Sequence, residues 1–312
     1  MILQIFILIA GLLLILFGAN YLVDGSSSIA RRFGLSEFII GLTIVGIGTS
    51  TPEMVVSFFS AIQGKADMAI GNVVGSNIFN TLLILGITAV ICPIKISKNA
   101  IRKDIPLNIA ITVLLIVLGM NGVLSRIDGA ILLGIFIWYM WSSFKSTSNS
   151  DEQSEEDEIK NYSLGASAAL ITGGLAALVF GGRLFVNSAT AIAQALGMSE
   201  KFIAITIMAA GTSMPELATS AVAAFKKRGQ LALGNVVGSN ISNILLIIGG
   251  SSLITPLSFT GMSVVDLGTL LGCTVFILLS AVMFKKKQLD RIEGTILLMC
   301  EAAYMWYLIA NL

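Results

Sequence analysis

Apolar runs of about 20 residues recur from one end of the chain to the other, and this feature restricts the fold more than any other. Each run is long enough to cross a hydrocarbon core of ~30 Å as an α-helix. The mean hydropathy is +0.91, and charged residues make up 12% of the 312 residues. Soluble domains carry about twice that share of charge. The sequence therefore predicts an all-α integral membrane protein, with the lipid bilayer and not a nucleic acid as its surroundings.

Ten transmembrane spans are predicted, at 2–22, 37–62, 69–91, 104–121, 127–144, 163–184, 200–225, 231–254, 264–284 and 291–310. The first run lacks a basic leader and a small-residue cleavage site, so we interpret it as a retained span and not a signal peptide. One long polar and acidic stretch, 145–162, separates a first half (1–144) from a second half (163–312). We interpret this stretch as a solvated linker between two five-span domains.

The distribution of basic residues predicts the orientation. With ten spans, fifteen Lys and Arg residues fall in loops on one side of the membrane and four on the other. Basic loops stay in the cytoplasm. We therefore expect a multi-pass protein of the cell membrane with both termini outside and the acidic linker in the cytoplasm.

Two motifs occur once in each half at a constant offset of 163 residues. "GTSTPE" (48–53) returns as "GTSMPE" (211–216), and "GNVVGSNIFN" (71–80) returns as "GNVVGSNISN" (234–243). The chain is therefore a duplication. Because five spans is an odd number, equivalent elements must enter the membrane in opposite directions. Inverted repeats of this kind are typical of transporters whose binding site lies near the bilayer midplane.

The repeated motifs place oxygen-bearing side chains at helical spacing, four residues apart on one face. These residues are Thr49, Glu53, Asn72, Ser76 and Asn80, with Thr212, Glu216, Asn235, Ser239 and Asn243 as their equivalents. Pro52 and Pro215 each remove a backbone donor and free nearby carbonyl groups. We expect spans 2, 3, 7 and 8, which carry the motifs, to be broken helices that form a midplane cation site. Carboxylate, hydroxyl, amide and carbonyl oxygens suit Ca²⁺ or Na⁺ and not soft metals.

The two glutamates determine the expected charge of this site. A single carboxylate at the bilayer centre costs ~2.5–3.5 kcal/mol on insertion scales. Two facing carboxylates repel each other unless cations neutralise them. A total charge of −2 is balanced by one Ca²⁺ or by two to three Na⁺, so the two ions are expected to compete for one site, as an exchanger requires.

The motif pair resembles the Ca²⁺/cation antiporter superfamily, and specifically its prokaryotic sodium/calcium exchanger branch, over the whole chain. The resemblance implies a central Ca²⁺ site made by the carboxylates of Glu53 and Glu216 and the carbonyls of Thr49 and Thr212. It also implies two flanking Na⁺ sites, one from the Gly46 carbonyl, Thr49, Ser50, Glu53 and Ser76, and the other from the Ala209 carbonyl, Thr212, Ser213, Glu216 and Ser239. Asn80 and Asn243 would line the middle, and the first and sixth spans would slide across the core.

Two further asparagines and one departure from the family pattern affect the expected site. Asn77 and Asn240 fall five residues after Asn72 and Asn235, off the polar face, so we expect them to bond helices together and not to bind ions. Some members of the family carry an acidic residue where this chain has Asn243, so the site here is less negative.

The sequence therefore predicts a secondary antiporter that uses inward Na⁺ flow to extrude Ca²⁺, with no cofactor beyond the transported ions. Exchange of three Na⁺ for one Ca²⁺, as the resemblance suggests, would be electrogenic. Exchange coupled to H⁺ or K⁺ is one alternative, and a cation channel gated by the broken helices is another. A membrane enzyme is the weakest option, because the chain has no histidine and no nucleophile–base pair. The oligomeric state is left open, with a monomer as one option.

Overall fold

The computed structural model describes residues 1–146, 161–198, 207, 209–259, 261–283 and 287–311. Most of these residues are helical, which confirms the all-α prediction. Residues 147–160 of the predicted linker and residues 200–206 of predicted span seven lie outside the described residues.

The first half contains long helices interrupted by short wide turns. Its helices are α1 (Ile2–Phe33), α2 (Glu37–Ile40), α3 (Gly46–Thr49), α4 (Thr51–Ile62), α5 (Ala66–Phe79), α6 (Leu85–Ile91), α7 (Ile105–Gly119) and α8 (Arg126–Ser146). Its π-helical turns are π1 (Gly41–Val45), π2 (Asn80–Ile84) and π3 (Ala100–Asp104), and its strands are β1 (Ile94–Lys95) and β2 (Val123–Leu124).

The described part of the second half follows a similar order of elements. Its helices are α9 (Leu164–Ala195), α10 (Ala209–Thr212), α11 (Met214–Phe225), α12 (Gly229–Ser242), α13 (Gly249–Ile254), α14 (Val264–Met283) and α15 (Arg291–Ala310). A π-helical turn, π4 (Asn243–Ile248), joins α12 to α13, and the strands are β3 (Leu257–Ser258) and β4 (Gln288–Leu289).

Six helical segments among the described residues are long and apolar enough to cross a membrane: Ile2–Phe33, Asp67–Ile91, Leu164–Ala195, Gly229–Ile254, Val264–Val282 and Arg291–Ala310. A bent pair, Glu37–Thr49 with Thr51–Ile62, makes a seventh if it is one span. A multi-pass membrane protein is thus confirmed, whereas the count of ten spans stays a prediction.

The predicted break beside each proline is present. The helices on either side of Ser50 are bent by 46°, and α4 begins with Pro52 in its first turn. Ser213 occupies the same place before α11, whose first turn contains Pro215. A proline in the first turn needs no intrahelical partner for its nitrogen, so a new helix can start there although the preceding one cannot continue.

The prediction that spans 3 and 8 are also broken is wrong. The segments 67–91 and 229–254 each run as one helical span. Neither contains a proline, so no backbone donor is lost and the helix continues. Each instead widens into a π-helical turn that begins at Asn80 or at Asn243. Such turns interrupt the regular hydrogen-bond ladder without ending the helix and often occur at functional sites.

Helix α1 is eleven residues longer than the predicted span, which ended at residue 22. The residues just beyond the predicted span include Ser26, Ser27 and Ser28, which are polar, but all three are buried. Ser28 accepts a hydrogen bond from the hydroxyl of Ser167 in α9 at 3.1 Å. The serines therefore belong to a helix–helix contact and not to a loop.

Helices α1 and α9 pack closely against each other. A Cβ added to Gly18 would lie 2.8 Å from the carbonyl oxygen of Gly174, so the two backbones touch there. Only 22% of the most apolar window of α1 and 28% of that of α9 is buried, against 94% for the segment 229–254. The α1–α9 pair thus lies at the periphery, and α12 with α13 lies at the centre.

Two small antiparallel sheets connect loops of the two halves. Strand β1 pairs with β4, through Ile94 opposite Leu289. Strand β2 pairs with β3, through Leu124 opposite Leu257. Each sheet joins a loop of the first half to a loop of the second, so the halves form one packed structure with a shared core.

Candidate cation site

The two glutamates predicted to bind cations are both fully buried. Glu53 is 1% exposed and lies in the first turn of α4, and Glu216 is 0% exposed and lies in the first turn of α11. The partial positive charge at the start of a helix stabilises a nearby carboxylate. Each proline break therefore starts a new helix at the site. Because the glutamate lies in the first turn of that helix, it is close to the positive N-terminal end.

Each glutamate is bonded to the serine at the break of the other half. The hydroxyl of Ser213 donates to Oε1 of Glu53 at 2.9 Å. The hydroxyl of Ser50 donates to Oε1 of Glu216 at 3.0 Å. The resemblance grouped each serine with the glutamate of its own half in one flanking Na⁺ site, whereas these hydrogen bonds join each serine to the glutamate of the other half. Helical spacing gives the face on which a residue lies, but not which helix of the other half lies opposite.

A second pair of equivalent contacts fixes the backbone beneath each carboxylate. The amide nitrogen of Asn72 in α5 donates to the Glu53 carbonyl at 3.2 Å and to the hydroxyl of Ser57 at 3.0 Å. In the second half, the amide nitrogen of Asn235 in α12 donates to the Glu216 carbonyl at 3.4 Å and to Ser220 at 2.9 Å. Each motif-bearing helix thus holds its own glutamate-bearing helix in position.

Residues of α3 contact α12 across the two halves. The carbonyl of Gly46 accepts a hydrogen bond from Ser239 at 3.1 Å. The hydroxyl of Thr49 donates to the side-chain oxygen of Asn235 at 3.1 Å and lies 3.4 Å from the Gly46 carbonyl. The structure therefore brings Gly46, Thr49 and Ser239 together, although the sequence assigned Ser239 to the other flanking site.

The remaining predicted ligands lie on the expected elements. Ser76 is buried on α5, one helical turn after Asn72 and one turn before Asn80. Ala209 is the first residue of α10, and Thr212 is its last, directly before the break. Ala209 and Thr212 are thus the first and last residues of α10, just as Gly46 and Thr49 are the first and last residues of α3.

Several buried oxygens at this place have no hydrogen-bond partner among the described residues. They are Oε2 of Glu53, Oε2 of Glu216, Oδ1 of Asn80, Oδ1 of Asn243 and the hydroxyl of Thr212. A buried polar atom without a partner costs about 1–3 kcal/mol, and more if it is charged. Four of the five atoms form two equivalent pairs, each with one member from each half, so the feature follows the duplication of the chain. Oxygens that lack a donor are suited to a cation.

The donor set matches a hard cation. It comprises two carboxylates with amide, hydroxyl and carbonyl oxygens, which are the ligands of Ca²⁺ and Na⁺. Within the described ranges there is no group of three or more His, Cys, Asp or Glu residues that would suggest a transition-metal centre. The three cysteines are free thiols, and none belongs to the motifs.

Sequence reasoning did not predict the roles of Asn77 and Asn240 in full. The amide nitrogen of Asn77 donates to the backbone carbonyl of Asn240 at 3.2 Å, which agrees with the expected bond between helices. Both side chains also contact the asparagines predicted to be ligands. Their place five residues after Asn72 and Asn235 indicated only that they leave the polar face.

Comparison with known proteins shows what this chain resembles. The model of the family described as sodium/calcium exchanger protein matches residues 3–145 and 166–310. The putative antiporter CaxA of Alkalimonas amylolytica is 38% identical, with 98% of each chain covered. The sodium/calcium exchanger MaX1 of Methanosarcina acetivorans is 32% identical, with 96% of each chain covered. A solved structure of the sodium-calcium exchanger NCX_Mj, soaked with zero Na⁺ and Ca²⁺, superposes with a TM-score of 0.86 at 34% identity. It covers 98% of this chain and 99% of its own.

Proposed function

The chain belongs to the sodium/calcium exchanger protein family, and from that premise we propose that it is a secondary antiporter that exchanges Na⁺ for Ca²⁺ by alternating access. This family is one of transporters and not a class of enzymes. Inward Na⁺ flow drives Ca²⁺ out of the cell, and the transported ions are the substrates.

The observation that carries the proposal is the set of buried oxygens without partners from Glu53, Glu216, Asn80 and Asn243. These four atoms come equally from both halves and include the two carboxylates. In the proposed mechanism they surround the transported cation, with the carbonyls of Thr49 and Thr212 as additional ligands. The flanking Na⁺ sites use Ser50, Ser213 and their neighbours.

The charge of the site explains why exchange is favoured over co-transport. Two carboxylates supply a charge of −2, which one Ca²⁺ or two Na⁺ neutralise, and a third Na⁺ leaves a net charge of +1, less than Ca²⁺ and two Na⁺ together would leave. Simultaneous occupation would leave an uncompensated positive charge in a medium of low dielectric constant, which is unfavourable. With three Na⁺ per Ca²⁺, one net charge crosses in each cycle, and transport then depends on voltage by ~2.3 kcal/mol per 100 mV.

The side chains in the middle of the site favour Na⁺ over H⁺ as the coupling ion. Asn80 and Asn243 both carry neutral amides, which neither release nor take up a proton. The chain contains no histidine, so the two carboxylates are the only titratable groups of the described site.

A ten-span topology with inverted halves is supported by contacts between loops. If ten spans alternate, the loops after spans 3, 7 and 9 lie on one side, and those after spans 4 and 8 on the other. The pairing of β1 with β4 and the hydrogen bond from Gln230 to the Lys95 carbonyl join loops of the first group. The pairing of β2 with β3 and the bond from Arg126 to the Ile254 carbonyl join loops of the second.

The basic residues then assign the two sides. The first group of loops carries most of the positive charge and is therefore cytoplasmic, which puts both termini outside. The protein resides in the cell membrane as two five-span domains, 1–144 and 163–312, joined by a cytoplasmic linker at 145–162.

Alternating access is proposed to come from movement of the α1–α9 pair. This pair touches the core through α11, the helix that carries Glu216. Sliding of the pair along the core would expose the buried site first to one side of the membrane and then to the other.

Proteoliposomes loaded with Na⁺ provide the direct test. We expect Ca²⁺ uptake that requires outward Na⁺ flow, and we expect Glu53→Gln and Glu216→Gln to abolish it. Asp67→Asn serves as a control, because Asp67 is exposed at the start of α5. Uptake that persists without Na⁺ and follows a pH or K⁺ gradient would reject the coupling ion, and fluxes far above carrier rates would indicate a channel.

A further inference from the structure

An asparagine that binds a cation must present its oxygen and turn its nitrogen away. The side-chain amide has one end that accepts hydrogen bonds and one end that donates them, and the two ends have nearly the same shape. A site that relies on asparagine therefore needs a neighbouring acceptor that fixes the nitrogen. Without it, the amide can rotate and present N–H groups to the cation.

Such acceptors are present for both asparagines of the site. The amide nitrogen of Asn80 donates to Oδ1 of Asn240 at 3.2 Å. The amide nitrogen of Asn243 donates to Oδ1 of Asn77 at 2.9 Å. Both contacts cross from one half to the other. They leave Oδ1 of Asn80 and Oδ1 of Asn243 without partners among the described residues, as an oxygen directed at a cation would be.

The orientation of the two acceptors is fixed by contacts of their own. The nitrogen of Asn77 donates to the backbone carbonyl of Asn240 at 3.2 Å. The nitrogen of Asn240 donates to the hydroxyl of Thr81 at 2.8 Å. With their nitrogens engaged in this way, Asn77 and Asn240 can present only their oxygens to Asn243 and Asn80.

We propose that Asn77 and Asn240 are positioning residues that orient the amide oxygens of Asn243 and Asn80 toward the transported cation. This inference rests on the proposed function, because it assumes that the four oxygens without partners bind a cation. Neither positioning residue contacts the cation. Each acts on the ligand of the opposite half, so that the geometry of the site depends on the registry between α5 and α12.

A purely structural role would look different in an experiment. If Asn77 only bonds α5 to α12, its loss weakens the folded protein and affects cation binding no more than any other buried polar contact would. If it orients Asn243, its loss weakens binding by the 10- to 100-fold that is typical of residues behind metal ligands. That loss then disappears when Asn243 itself has no amide.

A double-mutant cycle separates these two roles. The measurements are the Ca²⁺ dissociation constant of the purified full-length protein by calorimetry and its melting temperature without Ca²⁺. We expect Asn77→Leu to raise the dissociation constant about 10- to 100-fold in the parent protein. In the Asn243→Ala background, we expect the same change to raise it less than about threefold, because no amide is left to orient.

The crossed geometry supplies internal controls. Asn240→Leu is expected to couple with Asn80→Ala in the same way, whereas Asn77→Leu and Asn80→Ala should combine almost additively. Asn108→Leu removes a buried asparagine of α7 that belongs to neither repeated motif and should leave the dissociation constant unchanged.

Additive effects of Asn77→Leu and Asn243→Ala would overturn the inference, as would a lower melting temperature with unchanged Ca²⁺ affinity. If Asn77→Leu does not fold, the equivalent cycle of Asn240→Leu with Asn80→Ala decides, because additive effects in that cycle contradict an acceptor role. Failure of the parent protein to bind Ca²⁺ or to exchange it for Na⁺ would instead reject the proposed function. The two failures are therefore distinguishable.

Discussion

Ser50 and Glu216 lie 166 positions apart in the chain, yet the hydroxyl of Ser50 donates a 3.0 Å hydrogen bond to Oε1 of Glu216. The serine ends one helix of the first half, and the glutamate begins a helix of the second. This bond holds one carboxylate oxygen and leaves the other free within the described site. Neither half therefore forms a complete cation site alone.

Loss of the crossed serine hydroxyls should weaken cation binding. We expect Ser50→Ala and Ser213→Ala each to raise the KM for Ca²⁺ about 10- to 100-fold, because each glutamate loses the donor that orients it. Initial rates of Na⁺-driven Ca²⁺ uptake measure this. Ser252→Ala is the matched control, since the buried hydroxyl of Ser252 bonds only the carbonyl of its own helix in the described structure. Equal effects of all three changes would contradict the prediction.

Removal of cations should destabilise the protein, and neutralising one glutamate should reverse this. Two buried carboxylates without cations repel each other, whereas a bound cation at 100 times its dissociation constant adds about 2.7 kcal/mol of stability. We expect Ca²⁺ to raise the melting temperature of the parent protein. Glu53→Gln should melt higher than the cation-free parent and should show no Ca²⁺-dependent shift. A Ca²⁺-dependent shift that survives in Glu53→Gln would place the ion elsewhere.

The contact between Gly18 and Gly174 predicts a substitution that slows transport without changing the site. A Cβ at Gly18 would meet the Gly174 carbonyl at 2.8 Å and the Leu178 nitrogen at 2.9 Å, so α1 and α9 must separate. We expect Gly18→Ala to destabilise the protein by about 1–3 kcal/mol and to lower the maximal rate, with the Ca²⁺ dissociation constant unchanged.

Gly173→Ala is the control for this substitution, because no other atom lies within 4 Å of a Cβ placed there. It adds the same methyl group to α9, one residue before Gly174, the residue that Gly18 contacts. A loss of rate in Gly173→Ala equal to that of Gly18→Ala would show that backbone flexibility, and not the contact of the two helices, is responsible.

An ion pair connects α1 to the core near the predicted cytoplasmic side. The ammonium group of Lys226, which follows α11, lies 2.5 Å from a carboxylate oxygen of Asp24. Partly exposed pairs contribute about 0.2–1 kcal/mol. We therefore expect Asp24→Asn to change the balance between inward- and outward-facing states by up to about fivefold. This change is measured as a shift in the ratio of apparent Ca²⁺ affinities on the two sides.

The pair between Arg228 and Glu37 provides a comparison, because it joins α12 to α2 and does not involve α1 or α9. Glu37→Gln should lower stability by a similar amount and leave the ratio of affinities unchanged. An altered ratio in Glu37→Gln would mean that the core itself rearranges during transport.

Repetition in the sequence was sufficient to predict the positions of the glutamates and of the breaks beside Pro52 and Pro215. Those features depend on local chemistry, namely the missing donor of proline and the helical spacing of polar residues. The partner of each serine could not be predicted in this way, since it depends on how α4 and α11 cross in space. Likewise, Asn80 and Asn243 begin wide turns within continuous helices, and no residue type in the sequence encodes such a turn.

The ends of α1 illustrate a second limit of sequence reasoning. The predicted first span ended before Ser26, Ser27 and Ser28, whose hydroxyl groups normally favour turns and loops. In the structure they are buried where α1 contacts α9, and small residues permit such close contact between membrane helices. The sequence contains the small residues but does not identify the helix that packs on them.

The bond between Ser213 and Glu53 also determines an order of events during synthesis. The 160 positions between them correspond to about 10–30 s of translation at 5–20 residues per second. Through that interval Glu53 has been made, but the hydroxyl that will bind it has not. A nascent first half therefore carries an unsatisfied carboxylate into the membrane, and its final placement must wait until the second motif has left the ribosome.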